Sequence, residues 1–203
     1  MSFNRFRHPE GTQLPALERN ILKYRGFEML LLLFYVEELR GMVIGTIRAT
    51  DHWKNGRKPR LESSTKNKFK RATSALVADG MLSKVESKEI GDLVNTRNII
   101  AHELHKMTFD VSRDTWARTV HKLESPSYNY ESLDRIKYFH DELERRMRSK
   151  YAREISLDSL LFRSAERTYT RELKSLKRRI DAQYLIRRRK LAGLKQELSL
   201  KGT

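Results

Sequence analysis

A chain of 203 residues with 38% hydrophobic and 33% charged residues is long enough to bury a sizeable core, and its composition is that of neither a membrane protein nor a disordered chain. Its formal charge of +16 points to a polyanionic partner, of which the nucleic-acid backbone is the commonest in a cytoplasm; the absence of cysteine excludes disulfides, thiolate metal sites and a cysteine nucleophile, and suits a reducing, cytoplasmic setting. Four prolines and nine glycines leave long uninterrupted stretches, which favour an all-α fold over a turn-rich β architecture.

The N-terminal arm, Met1 to Pro9, has basic residues but no following apolar core of secretory type. Leu17, Ile21, Tyr24 and the run from Phe27 to Val36 then predict a long helix reaching about Thr50. Its apolar centre, Met29 to Val36, is too short for the roughly 20 residues a membrane span needs, so it reads as a buried core helix and no membrane partner is expected. Gly41 and Gly45 lie four apart, either for close approach of another backbone or as a break. Asp51 to Pro59 reads as a basic surface loop. From His52 to Arg71 eight Lys or Arg stand against one Glu, with Trp53 and Phe69 interleaved. Cations beside aromatics can grip a strand and stack its bases, so Lys54, Arg57, Lys58 and Arg60 are candidate RNA contacts, against the plainer reading of a solvated loop. A helix over about Ser64 to Ala78 follows, with Phe69, Ala72, Thr73 and Leu76 on one side and Asp79-Gly80 as its stop.

The next helix spans Ser83 to Lys106, with Ser83 and Glu86 in capping-box spacing. Ile90, Leu93, Val94, Ile100, Ala101 and Leu104 share one face at about 100° per residue. Arg97 falls in the middle of that apolar face, where a permanently charged guanidinium needs an anion, a carboxylate or a partner subunit. Asp92, Glu89 and Glu103 are its candidate mates if its role is structural. Asn98 and His102 project roughly 100° and 140° round from it. The segment Arg97-Asn98-Ile99-Ile100-Ala101-His102 resembles the motif of the HEPN superfamily, in which an arginine, often followed by a polar residue, precedes a histidine by four to six positions. The resemblance covers about the first two thirds of the chain. It implies a helical bundle that acts as a homodimer and cleaves RNA without a metal or other cofactor, in a toxin–antitoxin or phage-defence setting.

The chemistry this implies is self-consistent. RNA carries its own nucleophile, the ribose 2′-OH, so a metal-free enzyme needs only a base, an acid and a cation for the phosphate. His102 suits acid or base, Arg97 the phosphorane oxygens, and Asn98 the positioning of either. One chain offers one such histidine, so two copies would supply both acid and base. HEPN toxins neutralised by AMP attachment carry a tyrosine two residues after the histidine; here that position is Leu104, which argues against that route.

Beyond the motif, Ser112 caps a short amphipathic helix with Trp116, Val120 and Leu123. Ser125-Pro126-Ser127 is the clearest boundary, dividing a HEPN-like bundle over 1–124 from long C-terminal helices over 125–203. Leu133, Ile136, His140, Leu143, Met147 and Tyr151 form one seam, and Phe162, Ala165, Tyr169, Leu173, Leu176 and Ile180 another, with coiled-coil-like spacing and a separation near Ser156 to Asp158. Eleven Lys or Arg against three acidic residues between Arg163 and Lys190, with Arg187, Arg188 and Arg189 consecutive, suggest RNA contact or docking onto an acidic antitoxin or other defence-system protein. A solvated outer face is the bland alternative. His102, Glu103 and His105 lack a metal-binding frame, and no phosphate loop or serine elbow is present. The alternatives to a ribonuclease are a catalytically silent HEPN-like RNA-binding or scaffold module, and a helical partner protein in which the motif is accidental.

Overall fold

From Ala16 to Trp53 the chain forms one unbroken helix, α1, and every other helix packs on it. The computed structural model describes residues 16–54, 59–61, 67–102, 129–152 and 157–201. After α1 come α2 (Lys68–Ala78), α3 (Lys84–His102), α4 (Ser132–Met147) and α5 (Leu157–Lys201), and the described residues contain no strand. The fold is all-α, and no described helix is long and apolar enough to cross a membrane. The short helix after Ser112, Leu104, the Ser125–Ser127 stretch and residues 1–15 lie outside the described residues.

Because α1 is covered on several sides, its apolar residues are buried well beyond a single stripe. Leu31, Leu32, Val36, Leu39, Val43 and Ile47 are shut away from solvent. Within the expected apolar run Met29 and Tyr35 are also buried, and only Phe34 is notably exposed. The break reading fails, since α1 runs unbroken through Gly41 and Gly45, and close approach fails at Gly41, where a Cβ would meet nothing within 4 Å. Both glycines line an open groove, so no neighbouring backbone comes near Gly41.

α5 runs antiparallel to α1, since partners rise along one as they fall along the other. Phe34 meets Phe162 with ring centroids 5.8 Å apart, Phe27 meets Tyr169 at 5.7 Å, the Asn20 amide donates to Gln183 at 3.0 Å, and Arg187 pairs with Glu18. The Tyr35 hydroxyl donates to the Glu166 carboxylate; burial, and next this bond, raise the Tyr35 pKa well above its ordinary value. The α4 seam is buried as its spacing predicts: Leu133, Ile136, His140, Leu143, Met147 and Tyr151 all face inward. In the second seam Leu173 and Leu176 are buried, while Phe162 and Tyr169 pack partly against the core. Leu133, Ile136, Phe139 and Leu143 belong to the same apolar cluster as Leu32, Leu39, Leu76 and Ile90, so one core draws on both sides of the Ser125–Ser127 stretch.

Local chemistry ends the helices. At the end of α2, Gly80 takes φ 73°, Met81 N–H reaches Leu76 O at 2.8 Å and Gly80 N–H reaches Val77 O at 3.1 Å. This is the paired bonding of a Schellman motif, which needs a left-handed residue that glycine supplies without steric cost. α3 opens with the reciprocal box: Ser83 N–H donates to Glu86 Oε2 at 2.8 Å and Glu86 N–H to Ser83 Oγ at 3.1 Å. Arg146 of α4 clasps that box, donating to Glu86 Oε1 at 2.9 Å and to Met81 O at 3.0 Å.

Arg146, and next the Ser83 backbone, hold the Glu86 carboxyl down to about 2. A carboxyl whose folded pKa lies below its unfolded value binds fewer protons folded than unfolded. Its stabilising contribution is therefore complete above about pH 4.5 and is lost as the pH falls toward 2. Denaturant midpoints should drop over that window, and the drop should be shallower in Arg146→Gln than in the wild type. Parallel acid limbs for the two proteins would remove this pair from the acid response.

Candidate functional site

The capping box sets the register of α3, and that register turns Ile90, Leu93 and Ile100 into the core with Arg97 among them, its side chain 25% exposed. Its guanidinium is anchored across helices: Nη2 lies 2.9 Å from Glu37 Oε1 on α1, Nη1 donates to Asn98 Oδ1 at 3.2 Å, and Nε is buried without a partner among the described residues. Glu37 Oε1 also meets Arg40 Nη1 at 3.3 Å, so one carboxylate stands between two arginines. Of the mates suggested by local spacing, Glu103 lies outside the described residues, Asp92 does not pair with Arg97, and Glu89 is taken by Arg135 of α4, with Nη2 to Oε2 at 2.8 Å. Glu37 could not be singled out from the sequence, because helical periodicity says which face of α1 is apolar but not which helix lies over its polar edge.

Asn98 and His102 are exposed. His102 is the last residue of α3, about 7.5 Å along the axis and 140° round from Arg97 in regular helical geometry. Among the described residues no hydrogen bond or ion pair engages it. The fold thus joins Arg97 to Asn98 and leaves His102 open on the same end of α3. Of the other face residues, Val94 packs partly against the core and Ala101 is exposed.

Magnitudes separate a structural from a functional role for Arg97. An ion pair to a half-exposed carboxylate contributes about 0–1 kcal/mol, whereas a leucine buried at such a position contributes roughly 1.5–3 kcal/mol. Stability alone does not explain a guanidinium between Leu93 and Ile100. An arginine whose charge is met, among the described residues, by one half-exposed carboxylate can instead present its donors to an incoming phosphate.

Glu37 and Arg40 also line a groove of about 1030 Å³ between α1, α4 and the start of α5. Arg48, Arg148 and Arg163 line it too, along with Glu38 and Glu144, and Trp53 stands at its end with 77% of its surface exposed. Of the basic-loop residues read as RNA contacts, Lys54 is exposed, whereas Arg57 and Lys58 lie outside the described residues. Arg60 is heavily engaged within the protein. Its Nε donates to Asp51 Oδ1 at 2.8 Å, its backbone N–H to Asp51 Oδ2 at 2.9 Å and its Nη1 to Asp79 Oδ2 at 2.7 Å, and it lies 5.7 Å from the Tyr151 ring centroid. The Tyr151 hydroxyl, then the Arg60 guanidinium, hold the Asp79 carboxyl below the ordinary carboxylate range, and burial beside Asp79 pushes Tyr151 up to about 12. This cluster latches the ends of α1 and α2 to the end of α4. Phe69 is buried in the core, with Arg40 5.9 Å from its ring centroid, so of the two interleaved aromatics only Trp53 is exposed. In the consecutive arginines of α5, Arg187 is paired with Glu18, while Arg188 and Arg189 are exposed.

One group among the described residues has metal-ligand chemistry: His140, Asp141 and Glu144 bring ligand atoms within 4.8 Å of one another. Spacings of one and four on a helix with mixed burial gave no frame to find it by. Its members are already engaged, His140 Nδ1 with Asp141 at 3.1 Å and Glu144 with Arg148 at 3.3 Å and Arg163 at 3.7 Å, so two fixed cations compete with any ion for Glu144. No family model, no curated protein and no solved structure matches the chain.

Proposed function

We propose that the protein is a metal-independent endoribonuclease of the HEPN type, acting as a homodimer in a toxin or antiphage-defence role. The observation that carries this reading is the hydrogen-bonded Arg97–Asn98 pair, held on α1 by Glu37, with His102 open on the same end of α3. A base removes the proton of a ribose 2′-OH, the 2′ oxygen attacks phosphorus, the bond to the 5′ oxygen breaks, and an acid protonates the leaving 5′ oxygen. The products are a 2′,3′-cyclic phosphate and a 5′-hydroxyl. His102 of one protomer takes the first proton, and His102 of a second copy supplies the last. Arg97 exchanges Glu37 for the non-bridging phosphate oxygens, and Asn98 orients the guanidinium. Exposed Ile99 beside Asn98, and Val85 further up the same helix, give a second copy apolar surface to cover. The groove beside Glu37, with Arg40, Arg48 and Trp53, and the exposed Lys54 offer the RNA strand cations and one stacking surface.

Purified protein incubated with total RNA should cut it equally well with and without EDTA and leave cyclic phosphate ends. Loss of cleavage in EDTA, restored by a divalent ion and abolished by His140→Ala, would move the chemistry to His140, Asp141 and Glu144. Arg97→Lys retains charge but loses the planar fork; cleavage should fall about 10²-fold with the circular dichroism spectrum unchanged. Near-native cleavage by this variant would reduce Arg97 to a positioning charge.

One observation favours a second reading, a catalytically silent scaffold: the Arg97 guanidinium already ties α3 to α1 through Glu37. In that case Arg97→Lys and Glu37→Gln would lower stability by similar small amounts, and the wild-type protein would leave RNA intact.

A further inference from the structure

Beyond its pairing with Glu18, α5 continues for about 20 Å to Lys201, and its inward seam continues with it. Tyr169, Leu173, Leu176 and Ile180 lead in steps of three and four to Tyr184, Arg187, Leu191, Leu194 and Leu198, strictly alternating only from Ile180 on. The first part of this seam packs on α1. The last part does not: Leu191, Leu194 and Leu198 are 53%, 55% and 70% exposed.

We propose that this end of α5 is a coiled-coil docking seam for an acidic amphipathic helix of another protein. The register makes Tyr184, Leu191 and Leu198 successive a positions and Leu194 a d position. Arg188 and Lys190 then occupy the e and g positions before Leu191. Residues at e and g set partner choice in coiled coils, and a predominantly basic set repels a second copy of itself while matching glutamates on a partner. The chain's own N-terminal residues carry the wrong sign, with Arg5 and Arg7 against Glu10. The stripe of Leu191, Leu194 and Leu198 is about 60° wide at 100° per residue, narrower than the 100° or more of a face that buries broadly, so it suits one helix better than a lipid surface. A phosphate backbone would use the arginines but has no use for three exposed leucines in heptad register.

The probe is a fluorescent peptide of about 21 residues with leucine at a and d and glutamate at e and g; its counterpart carries lysine at e and g. The full chain should bind the glutamate peptide at least about tenfold more tightly than the lysine peptide. Leu191→Asp and Leu194→Asp, both at exposed positions, should each remove that binding with helical content unchanged. Arg188→Glu combined with Lys190→Glu should narrow or reverse the preference. Equal or absent binding of the two peptides overturns the proposal. So does a self-association, seen by light scattering, that Leu194→Asp abolishes, which would make the occupant a second copy. A loss of affinity for single-stranded RNA or for anionic phosphatidylserine vesicles in the leucine variants would equally overturn it.

Discussion

Replacing His102 with alanine should lower the rate of RNA cleavage by about 10²–10⁴-fold, the usual contribution of a positioned acid or base, and should leave thermal stability where it was. The second half of that expectation follows from placement: the ring is exposed on the last residue of α3 and makes no bond among the described residues, so its removal takes nothing from the core. The same substitution tests whether the site is shared between two copies. Arg97→Ala and His102→Ala homodimers should each be inactive. If acid and base must both be histidine, mixed dimers of the two variants stay inactive; if one histidine and one intact arginine on opposite chains suffice, mixing restores part of the activity. Light scattering run beside the assay decides the premise, since a monomer that cleaves RNA refutes a site shared between two copies.

Phe139→Ala should have the largest effect on folding. The ring is 1% exposed in the middle of α4, and removing a buried phenylalanine costs about 3–5 kcal/mol through lost transfer energy and the cavity left behind. Because Phe139 shares its cluster with Leu32 and Leu39 of α1 and Ile90 of α3, the loss should be felt well outside α4. Amide exchange in α1 should accelerate along with that in α4, and unfolding should remain a single transition at lower denaturant. Unchanged protection in α1 would show that α4 and α5 unfold as a separate unit from the N-terminal helices.

What was legible in the sequence is what local spacing decides. The Ser83–Glu86 box, the Asp79-Gly80 stop, the burial of Ile90, Leu93 and Ile100, and the inward seam from Leu133 to Tyr151 depend on residues within a turn or two of one another, and each formed as read. What was not legible depends on which polar edges meet across helices. Glu37 beside Arg97, Asp51 and Asp79 around Arg60, and Glu18 against Arg187 are all pairings of charged residues whose own sequence neighbourhoods look like ordinary solvated surface. In a chain with 42 Lys or Arg and 26 Asp or Glu, spacing offers too many mates for any one to stand out. Phe69 illustrates the same limit, since an aromatic beside cations fits both a stacking site and a core, and only the packing of α2 on α1 decides for the core. For the candidate site, the register of Arg97, Asn98 and His102 along α3 could be read in advance, but not the carboxylate that holds the first of them.

The antiparallel pairing of α1 with α5 also has a consequence for biosynthesis. α1 leaves the ribosome first among the described helices, yet the rings that meet Phe27 and Phe34 come from Phe162 onward. About 100 residues separate the end of α1 from the start of α5, which at usual translation speeds is on the order of 5–20 s. Throughout that interval the strongest apolar surface of the nascent chain waits for α5, meeting α2, α3 and then α4 as they emerge. Native closure joins residues as far apart as Glu18 and Arg187, a separation that slows folding. Emerging chains should therefore depend on a holding chaperone until α5 is complete, and ribosome-bound chains stalled before Leu157 should be far more sensitive to protease within α1 than chains stalled after Arg187.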